Sequence, residues 1–316
     1  MKNFVDSAHG GDGWVEREKY HIDDIGAVWA NCGVCSETDE LRHVLLRRPG
    51  NEICNIDDPA SILWTNTMDY DKALYQHDKM AQAYRDYGVD VTYVEDPKAA
   101  FFPNIIYIRD TFTMTPQGAI ISRLASKARS GEEKIISLTL ANIGIPIIAT
   151  PFHNMKLEGP DIVIVNSDLV FLGIGLRTNI EAVNFVSEIL KIQGFSDIII
   201  VQTTYGCGHL DGVINLINSK YAAIVPRRAS YILYESLKRH GYSIVELTNI
   251  NEVDTLMSIN FVGINNETIL INKNAKDSIQ KYNDCGVKCV EVDVSELTNG
   301  GGSVHCMTGV VWRKNK

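Results

Sequence analysis

Apolar and polar positions alternate along the chain in short blocks, and these blocks predict small strands separated by helices. The run HVLLRRPG at 43–50 indicates a strand that a Pro-Gly turn closes. Residues 68–88 carry apolar side chains at helical spacing and end at a glycine, which is typical of a helix C-terminus. Residues 89–96 then predict a strand. The pattern therefore starts with a strand, a helix and a second strand.

The same unit recurs along the rest of the chain. The pattern predicts strands over 118–124 and 197–203 and helices over 132–144 and 179–194, with a glycine at the end of each helix. A tight Asn-Asn-Glu-Thr turn inside NFVGINNETILINK predicts a hairpin. We predict four or five rounds of paired strands, a helix and a returning strand, hence an α/β protein built from repeated small units.

The composition of the 316 residues is that of an ordinary globular protein, with 45% hydrophobic and 22% charged residues. No segment is rich enough in Pro, Gly and Ser to act as an interdomain linker. Residues 1–30 have the weakest pattern. We therefore predict an N-terminal arm over 1–30 and a single catalytic domain over 31–316.

Charge, hydropathy and cysteine usage exclude several classes of protein. The net charge of −9 argues against a nucleic-acid binder, and no apolar run is long enough for a membrane span. The N-terminus lacks the apolar core of a signal peptide, so we expect a cytoplasmic protein. The seven scattered cysteines indicate free thiols, and the single CxxC predicts no zinc site. We expect no metal and no cofactor, and leave homo-oligomerisation open.

Polar residues interrupt the apolar pattern at six places, where local sequence logic is expected to yield to function. They are Arg109 and Asp110 in PNIIYIRDT, predicted to end a strand, Arg129 in SKARSGEE, Glu158 and Asp161 in LEGPD, Arg177 in GLRTN, His209 and Asp211 in CGHLDG, and Cys306 in GGGSVHC. Each alone has a structural explanation, as a cap, a turn carboxylate, a packed thiol or a buried histidine.

Together these residues supply one complete chemistry. A cysteine nucleophile needs a base or a lowered pKa, and histidine, oriented by a carboxylate, is its usual companion. Further carboxylates match a guanidinium, and arginines match a carboxylate, so the set fits a ligand such as arginine. We expect Cys306 to attack a guanidinium carbon, and we expect its pKa to be low enough for fast alkylation near pH 7.

The blocks PNIIYIRDT, LEGPD, GLRTN, GHLDG and GGGSVHCMT, in this order, resemble the signature blocks of the guanidino-group-modifying enzymes. This superfamily includes arginine deiminases, dimethylarginine dimethylaminohydrolases, agmatine deiminases and arginine amidinotransferases. The resemblance covers residues 33–313. It implies the α/β pentein fold, a propeller of five ββαβ-type modules around a pseudo-fivefold axis.

The resemblance implies three catalytic roles: Cys306 as the nucleophile, His209 as the acid and base, and Glu158 as its carboxylate partner. It also implies six substrate contacts: Asp110 and Asp211 with the guanidinium, Arg129 and Arg177 with the α-carboxylate, and Asn104 and Gly300 as lesser contacts. The glycine run is expected to let a loop close over the ligand and present Cys306.

Differences between members favour arginine or a close analogue as the substrate. Dimethylarginine hydrolases carry lysine where this chain has Asp211, and a second carboxylate there suits an unsubstituted guanidinium nitrogen. Agmatine lacks the carboxylate that Arg129 and Arg177 would bind. Amidinotransferases usually have aspartate where Glu158 stands. We therefore predict a hydrolase that forms citrulline and ammonia through a covalent thiouronium on Cys306.

Two alternatives stay open, an arginine amidinotransferase with an amine acceptor and a dimethylarginine dimethylaminohydrolase. One departure from the family pattern concerns the Glu158 block, which reads LEGPD where the family has LEGGD. Because proline fixes φ near −65°, Pro160 predicts a changed loop if the family's glycine needs positive φ, which would affect the role of Asp161.

Overall fold

The computed structural model describes residues 14–54 and 56–314. Residues 1–13 of the predicted arm lie outside these ranges. The remainder of the arm contains helix α1 (His21–Asp24), and it contacts the rest of the chain. His21 Nε2 lies 2.9 Å from the Gln117 carbonyl oxygen, and the Ala30 amide donates to the Gly144 carbonyl at 2.9 Å. The boundary at residue 30 stays a prediction.

Fifteen short strands form five separate three-stranded sheets in the described part of the chain. In chain order the strands are β1 (Glu40–Leu46), β2 (Asp90–Tyr93), β3 (Phe112–Thr115), β4 (Gly118–Ile121), β5 (Ile147–Ala149), β6 (Ile162–Ile164), β7 (Leu169–Ile174), β8 (Asp197–Gln202), β9 (Ile214–Leu216), β10 (Tyr221–Ile224), β11 (Ser243–Glu246), β12 (Val262–Asn265), β13 (Thr268–Asn272), β14 (Lys288–Val292) and β15 (Gly309–Lys314).

The longer helices separate the paired strands of each sheet from the third strand. They are α2 (Tyr70–Asp86), α3 (Glu132–Asn142), α4 (Ile180–Ile192), α5 (Tyr231–Arg239) and α7 (Lys276–Asp284), with a short α6 (Ile250–Asp254) before the fifth sheet. The predicted helices over 68–88, 132–144 and 179–194 are therefore confirmed to within two residues at each end.

Each sheet has the same topology. The first two strands pair antiparallel, as β6 does with β7, and the third strand returns through a helix to pair parallel, as β8 does with β7. Parallel neighbours need such a crossover connection, so the helix follows from the strand order. The middle strands β4, β7 and β13 are almost entirely buried, as expected for strands with neighbours on both edges. The prediction of repeated ββαβ units is confirmed.

The two ends of the chain close the ring of modules. The C-terminal strand β15 pairs antiparallel with β1, and β1 pairs parallel with β2. One sheet therefore contains both the first and the last strand of the chain. This pairing fixes the C-terminal segment that carries Cys306, which would otherwise fray as terminal residues do.

Glycine ends each of the five module helices in the left-handed region, where residues with a Cβ are strained. These glycines are Gly88, Gly144, Gly194, Gly241 and Gly286, with φ between 72° and 99°. At the other end of α4, the Asn179 side chain accepts a hydrogen bond from the Ala182 amide and so caps the helix N-terminus. Local signals therefore determine where the helices begin and end.

One predicted strand is wrong. Residues 103–110 form 3₁₀ turns, Pro103–Ile106 and Ile108–Thr111, and the strand β3 begins only at Phe112. Pro103 cannot donate to a strand ladder, and the Thr111 hydroxyl bonds the Ile108 carbonyl at 2.6 Å, which closes a local turn. Asp110 therefore lies in a buried turn before a strand.

Two further observations concern cysteines and membranes. Six cysteines, namely Cys32, Cys54, Cys207, Cys285, Cys289 and Cys306, are free thiols in the structure, as the scattered pattern predicts. In the described part of the chain, no helix has both the length and the hydropathy needed to cross a bilayer.

Candidate active site

The turns that precede the first strand of each sheet carry the chemical side chains. Asp110 precedes β3, Glu158 precedes β6, His209 precedes β9, Asn260 precedes β12 and Cys306 precedes β15. Each module therefore contributes one polar residue at an equivalent position. Because the modules repeat around a ring, these five turns converge at its centre.

His209 and Glu158 form a hydrogen-bonded pair. Nε2 of His209 lies 2.7 Å from Oε2 of Glu158, and since a carboxylate only accepts, the imidazole donates. Glu158 is completely buried, whereas the His209 side chain is 15% exposed. The histidine therefore lies between a buried carboxylate and the open side of the site.

Glu158 has three further partners. Its Oε1 accepts from the Ala125 amide at 3.0 Å, and Nη1 of Arg177 lies 3.2 Å from Oε2. Its own amide donates to the Thr178 hydroxyl at 3.1 Å. Burial raises the pKa of Glu158, but the hydrogen bond and positive charge of His209, together with Arg177, outweigh it and lower the pKa to about 2. Glu158 is an anion at neutral pH.

The pKa of His209 shifts in the opposite direction. Burial lowers it, but the negative charge of Asp110 and the hydrogen bond to Glu158 raise it well above the usual histidine value. His209 is therefore an imidazolium at neutral pH, which is the protonation state of a general acid.

Cys306 is held by Asn260. The Asn260 side-chain amide donates to Sγ of Cys306 at 3.1 Å, while its carbonyl oxygen accepts from the Cys306 amide at 3.2 Å and from the His305 amide at 2.9 Å. Asn260 is buried, so its orientation is constrained on both sides of the thiol. One amide therefore orients both the backbone and the sulfur of Cys306.

The expectation of a low pKa for Cys306 is wrong for the ligand-free protein. Burial raises the pKa of the thiol far above its ordinary value, and the negative charges of Asp211 and Asp110 raise it further. The hydrogen bond from Asn260 opposes this only in part. Cys306 is a neutral thiol at neutral pH until something compensates the two carboxylates.

The two aspartates are each held by a basic side chain. Asp211 lies 3.2 Å from Nδ1 of His305, and Asp110 forms an ion pair with Arg129. Burial raises the pKa of Asp211, but His305, His209 and Arg109 lower it overall, so it is ionised. Both carboxylates are at most 5% exposed. They offer negative charge close to the thiol.

The two arginines predicted to bind an α-carboxylate differ in their surroundings. Arg129 is 3% exposed, and its guanidinium donates to Glu132 at 2.7 Å, to Asp110, and to the carbonyls of Asn104 and Tyr107. The Arg177 side chain is 20% exposed and has a described ion pair only with Glu158. Arg177 therefore has donors to offer a ligand, whereas Arg129 holds Asp110 in place.

The glycine run packs against Tyr107. A Cβ at Gly300 would overlap the Tyr107 hydroxyl, and one at Gly302 would lie 2.6 Å from the ring. Gly301 between them has φ 88°. The Tyr107 hydroxyl in turn donates to the Leu297 carbonyl at 2.7 Å. The segment is thus an ordered loop, and its glycines allow backbone to lie directly on an aromatic ring beside Cys306.

Pro160 fits the Glu158 loop without a left-handed residue. Gly159–Asp161 form a 3₁₀ turn in which the proline stands at the start, where its missing donor is not needed. Asp161 accepts a hydrogen bond from the Leu210 amide at 2.9 Å. Asp161 therefore holds the turn that carries His209, and the proline leaves this contact intact.

Two cavities meet at the nucleophile. One of about 150 Å³ is lined by Asn104, Asp110, Arg129, Arg177 and Gly300, together with Tyr107, Leu63 and the Cys306 loop. A second cavity of about 220 Å³ is lined by Asp211, by Asn260 and by other residues between 206 and 259. Gly208, His209, Gly301 and Cys306 line both. The six predicted substrate contacts therefore border one or the other cavity.

Asp110, Glu158 and His209 also offer donor atoms within 4.8 Å of one another, a spacing that could hold a metal ion. The same negative charge suits an organic cation such as a guanidinium. The expectation that the site needs no metal stays a prediction.

Sequence reasoning missed three residues of the site. Asn260 has a single signal, its place in the fifth copy of the repeat, two residues before β12. His305 stands next to Cys306 in the sequence, and its contact with Asp211 was not anticipated. Glu132 begins α3, and no pattern indicated that it pairs with Arg129.

Comparisons with known proteins identify the family of this chain. The family described as N,N dimethylarginine dimethylhydrolase, eukaryotic, matches residues 62–313. Dimethylarginine dimethylaminohydrolase of Pseudomonas aeruginosa is 24% identical over 268 residues, covering 85% of this chain and 98% of that protein. An arginine deiminase of Listeria monocytogenes is 27% identical over 257 residues, covering 67% of this chain and 62% of that protein.

Solved structures show the same fold. The Pseudomonas aeruginosa dimethylarginine dimethylaminohydrolase, in a cysteine-to-serine variant complexed with citrulline, has a TM-score of 0.71 at 21% identity and covers 87% of this chain and 100% of that chain. SxtG, an amidinotransferase from Microseira wollei, has a TM-score of 0.74 at 15% identity and covers 90% of this chain and 98% of that chain. The predicted five-module pentein fold is confirmed.

Proposed function

Because the chain belongs to the eukaryotic N,N-dimethylarginine dimethylhydrolase family of guanidino-group-modifying enzymes, we propose that it is a cysteine-dependent hydrolase of the guanidinium group of L-arginine or a close analogue. The products would be citrulline and ammonia. One observation supports this most: a thiol, an imidazolium–carboxylate pair and two buried aspartates converge on two cavities that share lining residues.

Substrate binding would combine charges at both ends of arginine. The guanidinium would lie at Cys306, between the carboxylates of Asp110 and Asp211, which match its planar donors. The α-carboxylate would reach Arg177, whose side chain is partly exposed in the first cavity, with Asn104 and Gly300 beside it. Arg129 would act through Asp110, because its own donors are already taken.

The substrate itself would activate the nucleophile. In the ligand-free protein, Asp211 and Asp110 help to keep Cys306 protonated. A bound guanidinium brings a positive charge to the same place, which lowers the thiol pKa and favours thiolate formation. The thiol proton would leave to solvent. The reactive thiolate would therefore form only with substrate present, which protects a free cysteine from side reactions.

The imidazolium of His209 would complete both half-reactions. After the thiolate attacks the guanidinium carbon, a C–N bond breaks and His209 protonates the departing nitrogen, which leaves as ammonia. The neutral imidazole then takes a proton from water as water attacks the thiouronium carbon, and the C–S bond breaks to give citrulline. Glu158 would stabilise the charged form of His209 in each cycle.

A second candidate is hydrolysis of dimethylarginine, which the family match favours. The second cavity beside Cys306 offers room for substituents on the guanidinium nitrogen. Against it stands Asp211, because methyl groups facing a buried, ionised carboxylate leave that carboxylate without donors.

Product analysis by mass spectrometry tests the proposal. The protein is incubated separately with L-arginine and with asymmetric dimethylarginine, beside a Cys306→Ser variant and a Cys54→Ser variant as the matched control, since Cys54 is an exposed thiol away from the site. Citrulline and ammonia from arginine, lost only in Cys306→Ser, are expected. Citrulline with dimethylamine from the methylated compound alone would instead establish the second candidate.

Addition of an amine acceptor tests the remaining alternative. Ornithine together with a new guanidino compound, formed only when an amine is present, would identify an amidinotransferase. Absence of every product from both substrates would contradict the proposed chemistry.

A further inference from the structure

A second cavity of about 220 Å³ opens from the nucleophile, and neither Arg177 nor Asn104, which would lie at the tail of arginine, lines it. It shares Gly208, His209, Gly301 and Cys306 with the first cavity, and its other walls come from different parts of the chain. This volume is far more than one water molecule needs. A carbon bonded to the Cys306 sulfur would therefore be open to a second molecule on this side.

The walls of the second cavity are of three kinds. Asp211 and Asn260 line it beside the thiol, and Val253 and Ile259 add buried apolar surface. Arg228, whose side chain is 23% exposed, lines it as well, and its Nη1 donates to the Gly212 carbonyl at 2.8 Å. The cavity thus combines a reactive end, apolar walls and an arginine.

The arginine of this cavity belongs to a positively charged cluster that extends beyond the cavity walls. Arg228 lies 2.7 Å from Oδ1 of Asp254, and Arg227 pairs with the same carboxylate oxygen. Two guanidinium groups thus share one carboxylate, which leaves a charge of about +1 in this cluster. Arg228 and Asp254 both border the cavity. A ligand with a carboxylate is better matched here than a neutral or cationic one.

The backbone at this wall is also unusual. Met257, which lines the cavity, has φ 51°, in the left-handed region that residues with a Cβ seldom adopt. Such conformations cost free energy and cluster where function needs a particular shape.

We propose that the second cavity is a subsite for an amine that carries a carboxylate and that is released from, or added to, the guanidino carbon held at Cys306. This inference rests on the proposed function, because it requires an amidino group on Cys306. The substrate class that follows is a guanidino compound whose distal nitrogen bears an acidic substituent, or an acidic amine that accepts the amidino group.

The chemistry is the same for both directions. For a substrate R–NH–C(=NH₂⁺)–NH–R′, the Cys306 thiolate attacks the carbon, the bond to the R′-bearing nitrogen breaks, and His209 protonates that nitrogen to release R′–NH₂. In the reverse step the amine attacks the thiouronium carbon, the C–S bond breaks and His209 accepts the proton. By microscopic reversibility one subsite serves both amines.

Binding tests the inference without turnover. The Cys306→Ser protein is titrated with L-arginine, with Nω-(2-carboxyethyl)-L-arginine and with Nω-propyl-L-arginine, which has a substituent of similar length without charge. We expect the carboxylate compound to bind at least about tenfold more tightly than the propyl compound, the worth of one charge-assisted contact. Equal affinities for the two compounds would overturn the inference.

Variants of the cavity locate the effect. Arg228→Met in the same background should abolish the preference, while affinity for L-arginine stays within about twofold. Arg239→Met is the matched control, because Arg239 pairs with Asp197 outside the cavity and should keep the preference. Val253→Phe reduces the cavity without a change of charge and should weaken both substituted compounds. A preference that survives Arg228→Met would also overturn the inference.

Turnover separates this inference from the proposed function. Active protein is incubated with L-arginine and with β-alanine or, as its uncharged counterpart, propylamine. The subsite is supported if β-alanine captures the amidino group at least about tenfold faster than propylamine does. Arginine turnover with no advantage for β-alanine overturns the subsite alone. No turnover of arginine and no covalent adduct on Cys306 would overturn the proposed function instead.

Discussion

The Nε2 nitrogen of His209 lies 2.7 Å from Oε2 of the fully buried Glu158, and the two residues come from different modules of the ring. Each side chain stabilises the charged form of the other, so the pKa of Glu158 is lowered and the pKa of His209 is raised. Cys306, from a third module, shares two cavities with His209. An acid, its partner and a nucleophile therefore meet only because the ring closes.

Replacement of Glu158 by Gln should reduce kcat by about 10²–10⁴-fold, because His209 loses the charge that keeps it protonated. The basic limb of the pH–rate profile should move to lower pH, because the pKa of His209 falls when Glu158 loses its charge. Steady-state kinetics from about pH 5 to pH 10 measure this. Glu188→Gln, a change of an exposed side chain that pairs with Lys191, is the matched control. An unchanged profile would remove Glu158 from the mechanism.

The ion pair predicts a definite pH dependence of stability. His209 has a folded pKa above its ordinary 6.5, so its contribution is complete below pH 6.5 and is lost as the pH rises through the raised value. Glu158 has a folded pKa below its ordinary 4.5, so its contribution is present above pH 4.5 and is lost on acidification. The unmodified protein should therefore have a higher free energy of unfolding than the His209→Asn variant, and this difference should be largest between pH 4.5 and pH 6.5.

Thermal or urea denaturation at several pH values measures this difference, which should reach roughly 1.5–3 kcal/mol at its maximum. It should shrink both near pH 3 and near pH 10. A difference that does not vary with pH would contradict the assignment of the charged pair.

Cys306 should react slowly with iodoacetamide near pH 7 in the absence of substrate, because burial and two carboxylates keep it protonated. The exposed Cys54 should be alkylated first. The labelling rate of Cys306 should increase with pH. Peptide mapping after timed alkylation provides the measurement. Fast labelling of Cys306 at neutral pH would show that the thiol is activated before the substrate binds.

Asn260→Ala should raise the thiol pKa still further and should lower kcat, because the amide that donates to the Cys306 sulfur is removed. We expect kcat to fall by about tenfold to a hundredfold, the cost of one hydrogen bond to a charged group. The pH dependence of Cys306 alkylation distinguishes this role from a purely structural one, since it should move to higher pH. Asn265→Ala, a change at the hairpin turn between β12 and β13 that lines neither cavity, is the control.

Arg177→Ala should raise KM for L-arginine by about tenfold or more, through the loss of a charged contact with the α-carboxylate. Agmatine, which lacks that carboxylate, separates this effect from the loss of the Arg177–Glu158 contact. The ratio of kcat/KM for arginine to kcat/KM for agmatine should fall. Arg129→Ala should instead lower kcat and stability, because Asp110 and Glu132 lose their partner. An unchanged ratio in Arg177→Ala would exclude it as the carboxylate contact.

Asp211→Lys should shift preference from arginine toward dimethylarginine. The change replaces a carboxylate that accepts from an unsubstituted nitrogen by a cation that does not. The ratio of kcat/KM for the two substrates is the readout, and Asp211→Asn shows how much of the effect comes from charge alone. A ratio unaffected by both variants would contradict the role given to Asp211.

The sequence alone determined the repeating architecture and most of the site. Periodicity, turn residues and terminal glycines are local signals, so helices such as α2 and α4 could be predicted within two residues, and the repeat of paired strands, helix and returning strand could be predicted as four or five rounds. The strand predicted to end at Asp110 failed because Pro103 and Thr111 favour local turns over a ladder. Six candidate blocks were identified because a polar residue in apolar surroundings costs free energy unless it has a partner or a function.

Only the tertiary structure decided how those residues act. Arg129 and Arg177 each follow a site carboxylate, Asp110 and Glu158, by the same number of residues. In the structure Arg129 is buried in contact with Glu132 and Asp110, whereas Arg177 is partly exposed. The tertiary structure also raised the pKa of Cys306, and it supplied Asn260 and the second cavity. Burial and charge depend on which turns meet when the ring closes, and distance along the chain does not report this.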